Sequence, residues 1–354
     1  MSSSKPGNLI RPAFPGVAPE PVQDRFARPL RDLRLSVLDR CNLRCTYCMP
    51  SDSLHGQGVF LPKEQLLTDD ELERLVRVFV RLGVHKLRLT GGEPLLRPGF
   101  VDLVARLAQI PGIDDLAMTT NAILLPRHAE ALKAAGLGRI TVSLDSIDEE
   151  TFATMSGGKG SAAEVLEGIE AAEAAGFDRI KINTVVQRGV NDEEVEALVG
   201  YFRGTGHILR LIEFMDVGNL NHWSREQVVP SAELLKRIHD CWPLRPLASE
   251  IQGETAKRYA FEDGSGEIGF ISSITQPFCG DCTRGRVTAD GTFYSCLFAN
   301  HGAVLRPLLR QKTEDADLEA FLRGQWSARE DRYSEIRGAS EGEAPRIEMF
   351  RMGG

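Results

Sequence analysis

The 354-residue chain has no apolar run approaching the ~18 residues of a membrane helix, which excludes a helical membrane span. Its first thirty residues lack the apolar stretch of a secretory signal, so secretion is not expected and the chain reads as cytoplasmic. Positive charge is not in excess. Forty-two Lys and Arg stand against fifty Asp and Glu, a formal net charge of −8. Binders of nucleic-acid polymers and acidic membranes are usually net basic, so both partner classes are excluded; a local basic pocket for a small anion is not. Cysteine is scarce: seven residues, an odd count in a chain long enough to bury a large core without staples. In a reducing compartment such cysteines bind metal or catalyse more often than they pair.

Residues 1–29 hold six prolines and no apolar periodicity, and read as a disordered N-terminal arm. Beyond them strand and helix patterns alternate. Strands are expected over 33–38, 86–89, 116–120, 140–144, 180–186 and 208–214. Helices are expected over 100–108, 127–135, 162–175 and 193–202, and Thr68 with Glu71 forms a capping box that opens another. Six β/α units imply a parallel sheet, either a partial barrel or an open sheet, with ligands at the carboxyl ends of its strands. After about residue 245 two hairpins are expected, 258–261 with 267–271 and 286–288 with 292–295. The division is therefore a core over 30–245 and a smaller α+β region over 246–354.

Cys41, Cys45 and Cys48 form C-x3-C-x2-C directly after the first strand. Three thiolates can hold three irons of a [4Fe–4S] cluster and leave the fourth open for chemistry. A structural zinc loop usually takes four ligands, and no fourth Cys or His precedes His55. Cys279, Cys282 and Cys296 form a second set of three, which alone reads equally as a zinc ribbon or an iron–sulfur site. Two such sets in one chain favour two clusters. Cys241 reads as an ordinary packed thiol.

The first cysteine motif, with Tyr47 inside it, and Thr90-Gly91-Gly92-Glu93-Pro94 after the next strand resemble the radical S-adenosylmethionine superfamily. Ser36–Asn42, Cys48-Met49-Pro50, Arg88–Pro94, Glu213–Gly218, the second cysteine set and the terminal Gly353-Gly354 narrow the resemblance to the GTP 3′,8-cyclase family of molybdenum cofactor biosynthesis. The resemblance implies a partial (β/α)6 barrel of the TIM type with a C-terminal region carrying a second [4Fe–4S] cluster. It implies that Tyr47, Gly92, Ser143 and Met215 contact adenosylmethionine. It assigns GTP to Arg34, Arg88, Thr119, Lys181, Arg284, Gly285 and Arg286, with Arg34, Arg284 and Arg286 catalytic, and it places the terminal glycines in the active site. A one-electron reductant such as flavodoxin, a downstream cyclic pyranopterin monophosphate synthase and a monomeric or homodimeric state follow from the same resemblance. Three positions depart from the family pattern: Leu38 where Thr is common, Ala122 where Gly is common, and Thr283 where Asn is common. Two other readings compete: a radical enzyme that modifies a peptide or another small molecule, and a non-catalytic zinc-binding module.

Overall fold

The computed structural model describes residues 20–50, 60–249, 253–311, 313–337 and 346–353. Most of the N-terminal arm, His55 and Gly354 lie outside the described residues. Six strands follow the expected alternation: β1 (Asp32–Ser36), β2 (Lys86–Thr90), β3 (Asp115–Thr120), β4 (Arg139–Ser143), β5 (Lys181–Val186) and β6 (Ile208–Glu213). Then come β7 (Leu244–Pro246), β8 (Lys257–Phe261), β9 (Glu267–Ile271), β10 (Arg284–Val287), β11 (Thr292–Tyr294) and β12 (Ala303–Val304). All twelve share one sheet, in the order β12-β11-β10-β1-β2-β3-β4-β5-β6-β9-β8-β7. From β10 through β9 every neighbouring pair is parallel. Both expected hairpins are present as the antiparallel pairs β8–β9 and β10–β11. Residues after 246 therefore build no sheet of their own; they extend the barrel sheet at both edges. No ladder joins β9 to β10 among the described residues, so the barrel stays open there.

Helices pack on the outside. They are α1 (Asp69–Arg81), α2 (Phe100–Ala108), α3 (Ala129–Ala134), α4 (Glu149–Ser156), α5 (Ala162–Ala174), α6 (Val195–Phe202) and α7 (Ser231–Cys241). Four more follow: α8 (Arg306–Arg310), α9 (Asp315–Ser327), α10 (Tyr333–Ile336) and α11 (Met349–Met352). The capping box at α1 forms as expected, with Glu71 N–H on Thr68 Oγ1 at 3.2 Å and Thr68 N–H on Glu71 Oε2 at 2.8 Å. Leu33, Leu35, Leu87 and Leu89 point outward into a core shared with Leu72, Leu75, Val76 and Phe79 of α1. Alternation then turns Asp32, Arg34, Lys86 and Arg88 inward. An ordinary barrel fills its interior with branched apolar side chains. Here charged side chains line an open space, so the interior is a site rather than a core.

Two expectations are corrected. Order begins before residue 30: Val22 and Leu30 are buried, Val22 N–H reaches Leu82 O at 2.9 Å, and Trp326 Nε1 donates to Arg28 O at 3.1 Å. Proline-rich composition signals irregular backbone, but two apolar anchors and Asp24, paired with Arg28 (2.6 Å) and Arg329 (3.1 Å), bind that segment to the body. Cys241 is exposed at the end of α7 rather than packed.

Candidate functional site

The register builds the site. Arg34 lies opposite Arg286 on one side and Arg88 on the other, so three guanidiniums form one row across β10, β1 and β2. Lys181 on β5 and Arg210 on β6 add charge from the opposite wall, and Arg284 stands one layer below Arg286. All six line a central cavity of about 800 Å³, as do Thr119 and all six cysteines of the two sets. Arg88 donates to Thr119 Oγ1 (3.2 Å) and Thr141 Oγ1 (2.9 Å). Burial, then the charges of Arg286, Arg88 and Arg284, pushes the Arg34 guanidinium well below its ordinary range. Burial lowers Arg88 and Arg286 to about 10 and Arg210 to about 9. Among the described residues Arg34, Arg88, Lys181, Arg210, Arg284 and Arg286 make no ion pair with a carboxylate within 4 Å. Buried like charges left this way are costly, and an anionic ligand relieves them.

The other end carries the opposite sign. Cys41, Cys45 and Cys48 lie beyond the carboxyl end of β1, with Glu93 beyond β2 and Asp145 beyond β4. Glu93 accepts from Thr120 Oγ1 (2.9 Å), Asn121 N–H (2.8 Å) and Leu95 N–H (3.0 Å), yet burial raises it to about 7. Asp145 accepts from Tyr47 OH (2.8 Å) and Val185 N–H (2.9 Å), and burial raises it to about 6. Two buried carboxylates beside the thiols suit a cationic ligand, while the row of cations below suits an anion.

The two cysteine sets sit at opposite ends of the barrel. Cys282 precedes Arg284, which pairs with Asp32 at the amino end of β1, whereas the first set follows the end of that strand. The second set thus stands away from the carboxyl ends, where ligands are expected from the strand pattern. The intervening length, Asp32 to Ser36, is about 13 Å of strand. The cations occupy that interval.

Both sets suit clusters. Burial, then Asp145, Cys48 and Cys41, pushes the Cys45 thiol well up, and burial lifts Cys41 to about 11. Neighbouring thiols whose ionisation is held back need a cation to become ligands. Among the described residues, no group of three Cys, His, Asp or Glu is disposed to hold one metal ion. Zinc draws its four ligands about 2.3 Å from a single centre. A cubane takes each thiolate at a different iron and so accepts a wider triangle. In the second set burial raises Cys282, but Arg284 and Arg329 outweigh it and hold the thiol down to about 6. Arg284 Nη2 approaches Cys282 Sγ at 3.4 Å, and Phe298 N–H donates to Cys296 Sγ at 3.4 Å.

Tyr47, Gly92, Ser143 and Met215 all border the cavity. At Gly92 a Cβ would stand 2.1 Å from Arg40 O, so glycine lets the cysteine loop close over the strand. Gly92→Ala should displace that loop and lower iron content from about eight to about four per chain, measured by iron assay after anaerobic reconstitution. Gly285 is not brought to the cavity. It alternates outward under Phe293 and Leu30, with a Cβ only 3.0 and 3.1 Å from them. Arg210, Asp145 and Arg329 escape the sequence reading, and Glu93 enters it only as part of a motif, without a role; Arg210 carries the same signal as Arg34, a basic residue between apolar neighbours in a strand. At the departures, Thr283 Oγ1 donates to Asp32 Oδ2 (2.6 Å), Leu38 O accepts Gly92 N–H (2.7 Å), and Ala122 adopts φ +67°. That left-handed backbone accounts for glycine being common there.

Residues 35–202 match the radical SAM superfamily model and residues 207–335 match the Molybdenum Cofactor Synthesis C model. A GTP 3′,8-cyclase from Xanthomonas campestris pv. campestris is 56% identical over 96% of this chain and 100% of its own length. Another from Acidothermus cellulolyticus is 51% identical over 90% of this chain and 89% of its own. In fold, the chain is similar to Streptococcus suis SuiB, solved with bound S-adenosylmethionine (TM-score 0.57, 15% identity, 84% of this chain and 68% of that one).

Proposed function

Because the chain belongs to the GTP 3′,8-cyclase family of radical S-adenosylmethionine enzymes, we propose that its central cavity holds adenosylmethionine at the carboxyl ends of the strands and GTP between the two cysteine sets. The enzyme is a lyase of molybdenum cofactor biosynthesis that uses adenosylmethionine and iron–sulfur clusters and takes GTP as substrate. The observation that carries the site assignment is the row Arg286–Arg34–Arg88, which among the described residues makes no ion pair with a carboxylate, below a rim of carboxylates and thiols.

Cys41, Cys45 and Cys48 hold one [4Fe–4S] cluster, and Cys279, Cys282 and Cys296 hold the other. When bound, the first cluster with adenosylmethionine supplies a 5′-deoxyadenosyl radical. Tyr47, Gly92, Ser143 and Met215 border the adenosylmethionine, and Glu93 and Asp145 balance its positive charges. Arg34, Arg88, Thr119, Lys181, Arg284 and Arg286 hold GTP, the arginine forks gripping phosphate in two-pronged fashion. Arg34, Arg284 and Arg286 fix the nucleotide so that its ribose 3′ carbon faces the upper end and its guanine the second set. Such a reactive species has to be shielded from water, and the buried walls and the C-terminal tail do this. Residues 30–245 form the adenosylmethionine-binding core and 246–354 the second-cluster region.

We also propose a one-electron reductant such as flavodoxin, hand-over of product to cyclic pyranopterin monophosphate synthase, and a monomer or homodimer in the cytoplasm. All seven cysteines are free, as a reducing compartment requires. No described helix is long and apolar enough to cross a membrane.

Lys181 offers a test of the phosphate assignment. Burial, then Arg210, Arg139, Arg88 and Lys86, lowers its ammonium to about 7. Only the protonated form pairs with phosphate, so GTP binding takes up a proton above pH 7. The Kd for GTP should rise by up to about tenfold per pH unit there, one proton per site, and stay flat below. Lys181→Arg keeps the charge and should remove the slope in calorimetric titrations from pH 6.5 to 8.5. Equal slopes in the two proteins would remove Lys181 from phosphate contact.

A further inference from the structure

The mechanism leaves Asp216, a buried carboxylate, without a task. Asp216 follows Met215 on the loop after β6, and its side chain is 6% exposed. It accepts from Tyr333 OH at 2.6 Å and Arg346 Nη1 at 2.9 Å, and pairs with Arg337 Nη2 at 3.0 Å. Arg346 Nη1 also donates to the Asp216 backbone carbonyl at 2.5 Å. Among the described residues every partner of this carboxylate lies in 333–346, and none in the barrel strands.

Three residues on, Asn219 meets the same C-terminal segment four times. Its Oδ1 accepts Arg346 N–H (3.1 Å), and its Nδ2 donates to Arg346 O (2.7 Å) and Glu348 Oε1 (3.1 Å). Its own backbone N–H donates to Glu348 Oε1 at 3.0 Å. Directly beyond lies α11, which buries Phe350 and Met352. The chain then turns at Gly353, φ +69°, where a Cβ would stand 2.3 Å from Thr90 Cγ2. Arg286 Nη1 donates to Met352 O (3.2 Å) and Gly353 O (2.5 Å). The terminal segment thus runs from the loop after β6 to the row of cations.

We propose that Asp216 and Asn219 are positioning residues that clasp the C-terminal segment and seat its glycine end in the cavity beside Arg286. The same clasp reaches the second cysteine loop. The Tyr333 ring stacks on Phe298 at 4.6 Å and 24°, and Phe298 N–H is the donor to Cys296 Sγ. One loop thereby fixes the tail relative to Met215 on one side and to the second cysteine set on the other. The tail's purpose rests on the functional reading above; the clasp does not.

Hydrogen–deuterium exchange on the reconstituted full chain tests this, comparing wild type with Asp216→Asn and Asn219→Ala. Expected is at least tenfold faster exchange in a peptide covering 346–354, with barrel-strand peptides unchanged. Deoxyadenosine formation should persist, while the ratio of cyclised product to deoxyadenosine falls at least tenfold. Unchanged terminal exchange in both variants overturns the proposal. Should Asp216→Asn also loosen barrel peptides, Asn219→Ala decides, because the Asn219 side chain is exposed and, among the described residues, holds only the tail: faster terminal exchange supports the clasp and unchanged exchange overturns it. If wild type made no product from GTP, the functional reading would fall while the exchange data still judged the clasp.

Discussion

Cys41→Ser is expected to reduce deoxyadenosine formation to background and to leave about four of eight irons, because each cubane needs its full set of thiolates. Cys41 is one of three half-buried thiols grouped at the carboxyl ends of the strands. Its sulfur accepts from Leu43 N–H at 3.4 Å and from Asn121 Nδ2 at 3.8 Å. Serine keeps the size but binds iron poorly. The second set lies a strand length away and is held by its own partners, Arg284 and Arg329, so it should still assemble. Iron analysis and deoxyadenosine quantification in one preparation check this. Eight irons with undiminished deoxyadenosine in the variant would remove Cys41 from the cluster.

Arg286→Ala should separate the two halves of the reaction: iron and deoxyadenosine formation persist, while cyclised product falls by roughly 10²–10³-fold. Arg286 is 5% exposed and stands in register with Arg34. Removing one partner from a buried charged contact costs about 2–5 kcal/mol. At about 1.36 kcal/mol per decade of rate, that is roughly thirty- to several-thousand-fold. Arg286 also holds the Met352 and Gly353 carbonyls, so its loss frees the tail as well as the substrate. Arg286→Lys keeps the charge without the planar fork and should fall between the two. Wild-type product yield from Arg286→Ala would contradict the role.

Much of this site is legible in the sequence because it obeys local rules. Period-2 alternation alone turns Arg34 and Arg88 inward, and the cysteine spacing marks out both sets of three. The six core strands and the helix over 100–108 stand close to where the pattern puts them. What stays hidden depends on pairings distant in sequence. Nothing local tells that β10 joins β1 in parallel, and that pairing alone sends Cys279 and Cys282 to the amino end of the barrel. Gly285 is placed wrongly by its adjacency to two arginines, because successive strand residues point oppositely. Arg210 escapes despite its alternation, since its opposite-wall position follows only from the register of β5 with β6. Residues 20–29 escape because their stability lies in Asp24 meeting Arg329, about three hundred residues away. The helices α4 and α7 are missing from the sequence reading although local signals exist: Asp148 caps the start of α4 on Thr151 N–H, and Gly157 closes it in a left-handed turn. The Asp216 clasp joins the loop after β6 to a segment more than one hundred residues later, and no periodicity encodes that.

The central claim is that one cavity brings adenosylmethionine and GTP together between two clusters. It is tested most directly by incubating the reconstituted enzyme with reductant, adenosylmethionine and GTP carrying deuterium at the ribose 3′ carbon. The account predicts a cyclised product that, apart from the label, is isomeric with GTP, and deoxyadenosine that has gained the deuterium. Unlabelled deoxyadenosine with GTP recovered intact would contradict it.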